Sequence, residues 1–127
     1  MFERQKLDPK RIPEVVKHKW GAKVLDEGFI ALPKRLLRCL PEVIQGPHAL
    51  EHLAVILAVV DYKRPKQVRP PSVDYLAFIA GMPAEMFKER LKELEAKQWL
   101  ITNGTDADLD VKIEPFVEEV MKLTQDE

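Results

Sequence analysis

The segment between residues 72 and 113 constrains the possible folds of this chain more than any other part of it. Ser72 is a favourable N-cap for a short helix, and Gly81 ends that helix because glycine readily adopts the left-handed conformation of a C-cap. A second helical pattern follows, with apolar residues at i, i+4 and i+7, namely Phe87, Leu91 and Leu94. Asn103-Gly104 is then a turn signal, and apolar and polar residues alternate after it. The segment predicts a helix, a turn, a second helix and a β-hairpin.

Further helices are predicted on both sides of this segment. Residues 50–60 are apolar around most of a helical circumference, which is typical of a helix buried in the middle of a domain. Another helix is predicted directly after Pro33, and an amphipathic one after Pro115. Gly28–Leu32 is a β-prone run, whereas residues 1–27 show no sustained period. The predicted core consists of Leu53, Ile56, Leu57, Leu76, Phe87, Leu91 and Leu94.

The predicted order of elements is that of a winged helix-turn-helix domain. The fold class is therefore mostly α with a small β-hairpin, together with an N-terminal arm and a C-terminal helix. The arm is predicted at residues 1–27 and the winged-helix domain at residues 28–127.

Two stretches narrow the match within the winged-helix class. They are Gly28-Phe29-Ile30-Ala31-Leu32-Pro33 followed by Leu36-Leu37, and Val111-Lys112-Ile113-Glu114-Pro115-Phe116 with Val120. The first resembles the start of the N-terminal domain of the primosomal protein DnaD and of that of phage replication protein O, and the second resembles the wing exit of the DnaD-type domain. Leu76-Ala77 ahead of the glycine turn resembles the pattern of winged helices in general. The resemblance implies a module that binds DNA, a protein partner or both during replication initiation. Two alternatives stay open: a dimeric winged-helix transcriptional regulator, and a phage-encoded module that binds a host replication or transcription protein.

The charge of the chain is nearly balanced overall but unevenly distributed. There are 20 Lys and Arg against 21 Asp and Glu, so the chain lacks the global basic bias of a general nucleic-acid binder. Residues 1–70 carry 14 basic and 8 acidic side chains, whereas residues 71–127 carry 6 and 13. This distribution indicates either a basic and an acidic face with a functional role, or two differently solvated surfaces.

The second predicted helix is poorly suited to the usual reading of DNA. Its predicted exposed positions include Glu85 and Glu89. None of these positions offers an Arg, Asn or Gln side chain to base edges. The hairpin adds Asp106, Asp108 and Asp110, which phosphates would repel. If DNA is bound, favourable contacts must come mainly from basic residues in the N-terminal half. The candidate DNA-binding residues are Lys63, Arg64, Lys66, Arg69, Lys34, Arg35 and Arg38, with Lys88 and Lys92 on the second helix.

The arm and the hairpin contain more apolar residues than a monomer needs. We therefore predict a homodimer or another protein partner, with an interface that includes Trp20, Leu109, Val111 and Ile113.

The sequence predicts no enzyme, no metal and no cofactor. His48-Ala49-Leu50-Glu51-His52 matches the H-x-x-E-H motif of zinc peptidases, in which two histidines one helical turn apart bind the metal. A third ligand is also required and no cleft is indicated around Glu51, so a chance match is favoured. The glycines form no phosphate-binding loop, Ser72 is the only serine and a helix cap, and Cys39, the only cysteine, suits a core position.

The sequence also indicates no membrane attachment. The first ten residues are polar and precede no apolar segment, so no signal peptide is predicted, and the longest apolar run is far too short to cross a bilayer. A cytoplasmic protein is predicted. Few serines and asparagines combined with many prolines are typical of proteins from thermophiles.

Overall fold

The part of the chain that the structure describes is mostly helical with a two-stranded antiparallel hairpin, which agrees with the predicted secondary-structure content. The computed structural model describes residues 2–62 and 69–125. The chain divides into two compact units, Met1–Ala31 and Leu32–Glu127.

The first unit contains the predicted arm and more regular structure than its sequence indicates. A 3₁₀-helix spans Pro9–Arg11, and helix α1 spans Glu14–Trp20. The backbone N–H of Leu7 donates to the carbonyl of Asp26 at 2.6 Å, which joins the beginning of the unit to its end.

The run Gly28–Leu32, predicted to be β-prone, is not a strand in the structure. Both strands of the described residues belong to the hairpin, so this run pairs with neither of them. A β-strand needs a neighbouring strand with which to form its ladder of hydrogen bonds, whatever the propensity of the run.

The second unit contains the remaining elements. They are α2 (Lys34–Val43), α3 (Ala49–Tyr62), α4 (Val73–Ala80), α5 (Ala84–Ala96), β1 (Ile101–Gly104), β2 (Leu109–Lys112) and α6 (Glu114–Leu123). Helix α3 packs against α4 and α5, α4 packs against α5, and α2 packs against α6. The order from α4 to the hairpin agrees with the predicted helix, turn, helix and hairpin.

The core of this unit includes five of the seven predicted core residues, namely Ile56, Leu76, Phe87, Leu91 and Leu94. Leu53 and Leu57 are half-buried, so their prediction as core residues is wrong. The buried face of α3 instead includes His52, Val55 and Val59. Because this helix is apolar nearly all round, its sequence does not show which side faces the core.

Local signals set the boundaries of α4 and α5 as predicted. The Ser72 hydroxyl accepts a hydrogen bond from the backbone N–H of Tyr75 at 3.1 Å, which caps α4. Gly81 ends α4 in the left-handed region, at φ 73° and ψ 32°, and donates its N–H to carbonyls of the last turn. Pro83 then precedes the first residue of α5. The two helices are therefore joined by only three residues.

The hairpin has a longer loop than its turn signal indicates. Asn103 and Gly104 lie in β1, where Gly104 pairs with Leu109, so the loop consists of residues 105–108. The N–H of Asp108 donates to the carbonyl of Thr105 at 3.2 Å and closes this loop. Alternate residues of β2 are buried, which fixes the register of the hairpin against the helices.

Candidate functional site

Three consecutive elements, α4, α5 and the hairpin, form the first candidate surface. Glu85, Glu89 and Lys92 are exposed on α5 at i, i+4 and i+7, so they lie on one side of the helix. The other side of the helix is buried and includes Phe87, Leu91 and Leu94. The single arginine of α5, Arg90, is only 8% exposed. The exposed side of α5 therefore presents carboxylates and one lysine.

The loop of the hairpin and the first residue of β2 contact the first residue of α4 and the residues just before it. The N–H of Val73 donates to the carbonyl of Asp106, and the N–H of Leu109 donates to the carbonyl of Pro71, both at 2.8 Å. Arg69 forms an ion pair with Asp108, also at 2.8 Å. These contacts hold the loop beside the start of α4.

The same loop also forms an ion pair with α5. The ammonium group of Lys88 contacts the Asp106 carboxylate, and a second carboxylate, that of Glu85, lies 3.9 Å away. The hydrogen bond to Asp106 raises the pKa of Lys88, and that to Asp108 raises the pKa of Arg69. Asp106 and Asp108, which are predicted to repel DNA, therefore form ion pairs with Lys88 and Arg69, which are predicted to attract it.

The remaining predicted DNA-binding residues lie on other elements or outside the described residues. Lys63, Arg64 and Lys66 are outside the described residues. Lys92 is exposed on α5, whereas Lys34, Arg35 and Arg38 are exposed on α2. The guanidinium groups of Arg35 and Arg38 each donate to the carbonyl of Thr124 at 3.5 Å. Thr124 is the C-cap of α6, where positive charge is favourable.

The predicted partner interface is only partly accessible. Leu109 and Val111 are buried in the core of their own chain, so little of either side chain is accessible to a partner. A two-stranded hairpin is marginal in water, and here one of its faces is covered by the helices. Ile113 is half-buried against the same core. Trp20, in the other unit, is 69% exposed, and its role stays a prediction.

A second candidate site lies between α3 and α5. The Nδ1 atom of His48 and the Nε2 atom of His52 lie 2.9 and 2.7 Å from the same carboxylate oxygen of Glu93, Oε1. These three ligand-type atoms all lie within 4.8 Å of one another. His52 is buried at 5% exposure, whereas His48 and Glu93 are half-buried.

The carboxylate of Glu93 is ionised over most of the pH range because of its partners. The hydrogen bonds from His48 and then His52, with the nearby charge of Arg90, lower the pKa of Glu93 from 4.5 to about 2. An ionised carboxylate only accepts hydrogen bonds, so both ring nitrogens carry a proton when they bind Oε1.

Arg90 holds the other side of this cluster. Its Nη1 atom donates to Oε2 of Glu93 at 2.7 Å, and its Nε atom donates to Glu51 at 3.3 Å. A third carboxylate, that of Glu89, lies 3.8 Å from Nη1. The nearly buried guanidinium therefore fixes the orientation of Glu93 and pairs with Glu51, the carboxylate of the H-x-x-E-H sequence.

The structure identifies Glu93 as the third ligand-type residue, which the sequence pattern alone does not reveal. The spacing of His48 and His52 was the visible signal, since residues four apart lie on one side of a helix. Glu93 follows more than forty residues later, on the exposed side of an amphipathic pattern. Only the packing of α5 against α3 brings the three residues together.

No protein-family model, curated protein or solved structure gives a significant match to this chain. Within residues 2–62 and 69–125, no helix has both the length and the apolar character required to cross a membrane.

Proposed function

We propose that this chain is a non-catalytic winged-helix module that binds a protein partner through α5 and the loop of the hairpin. The order of α4, a three-residue turn, α5, a hairpin and α6 supports the winged-helix assignment. The resemblance to the DnaD and replication protein O domains suggests replication initiation and primosome assembly as the setting.

The observation that carries this proposal is the pairing of Lys88 with Asp106 and of Arg69 with Asp108. A duplex carries one negative charge per roughly 1.7 Å of its axis, so a surface that binds it needs cations available to phosphates. Here Lys88 on α5 and Arg69, which precedes α4, already have carboxylate partners. Glu85 and Glu89 add negative charge, which suits a protein surface with basic side chains.

The composition of α5 also disfavours the alternative of an operator-binding regulator. Arg and Lys at guanine, and Asn and Gln at adenine, make the commonest hydrogen-bonded contacts to base edges in the major groove. Helix α5 contains neither Asn nor Gln, and Arg90 is occupied by Glu51 and Glu93. Lys88 is paired with Asp106, so Lys92 is the exposed residue of these types on α5. A regulator of this type would have to read its operator with another part of the chain.

A second candidate function is DNA binding through α2. The observation that favours it is the cluster Lys34, Arg35 and Arg38, three exposed basic residues within five positions of one helix. Such contacts would be sequence-independent and strongly salt-dependent. The predicted homodimer also stays a proposal, and Trp20 is the one of its four predicted interface residues that is exposed.

Site-specific photocross-linking in the native cell tests the main proposal. A photoreactive amino acid replaces Lys92, on the proposed surface, or Val117, an exposed residue of α6 that serves as the control. We expect position 92, but not position 117, to capture one defined protein. Charge reversal at Glu85 and Glu89, as E85K with E89K, should abolish that product.

DNA binding is tested in parallel with a labelled random-sequence duplex and the purified chain. Binding near physiological salt that K34A/R35A/R38A removes would favour the second candidate function. Binding that instead requires Glu85 and Glu89, and is lost in E85Q/E89Q, would contradict the electrostatic argument for a protein partner.

A further inference from the structure

We propose that His48, His52 and Glu93 form a binding site for a divalent transition-metal ion, with Zn²⁺ as the preferred ion, that links α3 to α5. The proposal goes beyond the binding module described above and does not depend on it. Two imidazoles and one carboxylate are a ligand set that Zn²⁺ accepts, and imidazole nitrogen favours Zn²⁺, Cu²⁺ and Ni²⁺ over Mg²⁺ or Ca²⁺.

The positions of the three ligand atoms carry the proposal. Both ring nitrogens point at one oxygen, at 2.9 and 2.7 Å, and the three atoms lie within 4.8 Å of one another. Bonds of about 2.0–2.1 Å in a tetrahedral site place neighbouring ligand atoms about 3.3 Å apart. Each nitrogen–oxygen distance therefore needs to open by about half an ångström to admit the ion. The two ring nitrogens, which lie within 4.8 Å of each other, need to approach to about 3.3 Å.

Binding exchanges protons for the metal. In the hydrogen-bonded cluster, Nδ1 of His48 and Nε2 of His52 each donate a proton to Oε1 of Glu93. A metal ion needs the lone pairs of these same atoms, so each ring must bind it in the neutral form with its remaining proton on the other nitrogen. Any proton displaced from these atoms goes to the other ring nitrogen or to solvent.

The surroundings of Glu93 resemble the outer shell of a metal site. Arg90 donates to Oε2 of Glu93, which leaves Oε1 directed at the two histidines. Hydrogen bonds of this kind orient a ligating carboxylate and contribute to metal affinity. Because His48 and Glu93 are half-buried, a water molecule can reach the fourth coordination position.

The ion pair between Arg90 and Glu51 gives the site a structural rather than a hydrolytic role. In an H-x-x-E-H peptidase the glutamate acts as general base on a metal-bound water. Here Nε of Arg90 lies 3.3 Å from the Glu51 carboxylate, and the same guanidinium binds Glu93. A bound ion would instead fix the position of α5 relative to α3.

The competing arrangement is a permanent hydrogen-bonded cluster that binds no metal. Titration of the full chain with Zn²⁺ against a chromophoric chelator distinguishes the two. We expect one ion per chain, and Co²⁺ in its place should give the intense visible absorption of a tetrahedral N,O site. His48→Ala and Glu93→Gln should each weaken binding by at least about 100-fold, beyond the effect of most outer-shell changes.

Two controls make the test specific. His18, the third histidine, is exposed on α1 in the other unit, so His18→Ala should leave the affinity for Zn²⁺ unchanged. Circular dichroism confirms that the variants fold; His48→Ala and Glu93→Gln are chosen because the side chains are half-buried. Equal Zn²⁺ binding by the parent, His48→Ala and Glu93→Gln would overturn the site, as would the absence of stoichiometric binding by the parent.

Discussion

The backbone of Gly104 approaches the carbonyl oxygen of Asp108 so closely that a Cβ atom at position 104 would overlap it. Gly104 also has a φ of 103°, which side-chain-bearing residues rarely adopt. This contact lies where β1 enters the loop of the hairpin. The tight loop therefore requires glycine at position 104 for two independent reasons.

The variant Gly104→Ala is accordingly predicted to destabilise the fold more than Gly81→Ala does. Gly81 also has a positive φ, but no atom lies within 4 Å of the position of its Cβ, so only the conformational cost of about 1–2 kcal/mol applies. At Gly104 the overlap with the backbone adds to that cost. Urea denaturation followed by circular dichroism measures both; equal losses of unfolding free energy would contradict the predicted overlap.

The core predicts a graded series of leucine substitutions. Leu94 is fully buried, so Leu94→Ala should lower the free energy of unfolding by roughly 2–5 kcal/mol. Leu57 is half-buried, so Leu57→Ala should lower the free energy of unfolding by less than that. Leu50 is 80% exposed, so Leu50→Ala should lower it by under about 0.5 kcal/mol. The three variants are compared in denaturant melts, and a loss at Leu50 as large as that at Leu94 would refute the assigned face of α3.

The predictable parts of the fold are those with local signals. Ser72 and Gly81 mark the ends of α4 through hydrogen bonds made within a few residues, and Phe87, Leu91 and Leu94 define the buried side of α5 by their spacing. These features depend on the chain close to them, so the sequence is sufficient to predict them.

The parts that the sequence did not predict depend on tertiary contacts. Because α3 is apolar around most of its circumference, its sequence does not show which side packs against the core, and it predicts Leu57 rather than Val55 as a core residue. In the hairpin, the alternation predicts that Leu109 and Val111 share one side, and only the structure shows that this side packs into the core of the same chain. Glu93 lies beside the two histidines only because α5 packs against α3, which the sequence does not show.

The ionised state of Glu93 predicts a specific response to acid in chelator-treated protein. Because the pKa of Glu93 is lowered from 4.5 to about 2, its carboxylate stabilises the folded chain above pH 4.5. That stabilisation should disappear as the pH falls from 4.5 to about 2. Glu93→Gln has no carboxylate at this position and so lacks this contribution at every pH. The difference in unfolding free energy between the parent and Glu93→Gln should therefore shrink as the pH falls across this interval.

Denaturant melts at several pH values measure this difference. Glu95→Gln is the matched control, since Glu95 is exposed on the same helix and bonds to Thr102 rather than to a histidine. A gap between the parent and Glu93→Gln that stays constant from pH 5 to pH 2 would contradict the assigned hydrogen bonds.

The ion pairs of the hairpin loop predict a gain of DNA binding on removal of two carboxylates. In Asp106→Asn with Asp108→Asn, Lys88 and Arg69 lose their carboxylate partners in the loop and can turn towards phosphates. Affinity for a random-sequence duplex should rise, and the slope of log affinity against log salt should steepen by about 0.9 for each phosphate newly contacted. Anisotropy titrations at several salt concentrations measure both quantities.

A matched charge change separates this effect from simple loss of negative charge. Asp110 lies in β2, two residues beyond Asp108, and Asp110→Asn removes one charge without breaking either ion pair. We expect Asp106→Asn alone to steepen the salt slope and Asp110→Asn alone to leave it unchanged. Equal effects would mean that overall charge, rather than the pairing of Lys88 and Arg69, keeps this surface from binding DNA, and the observation that carries the proposed protein-binding role would no longer support it.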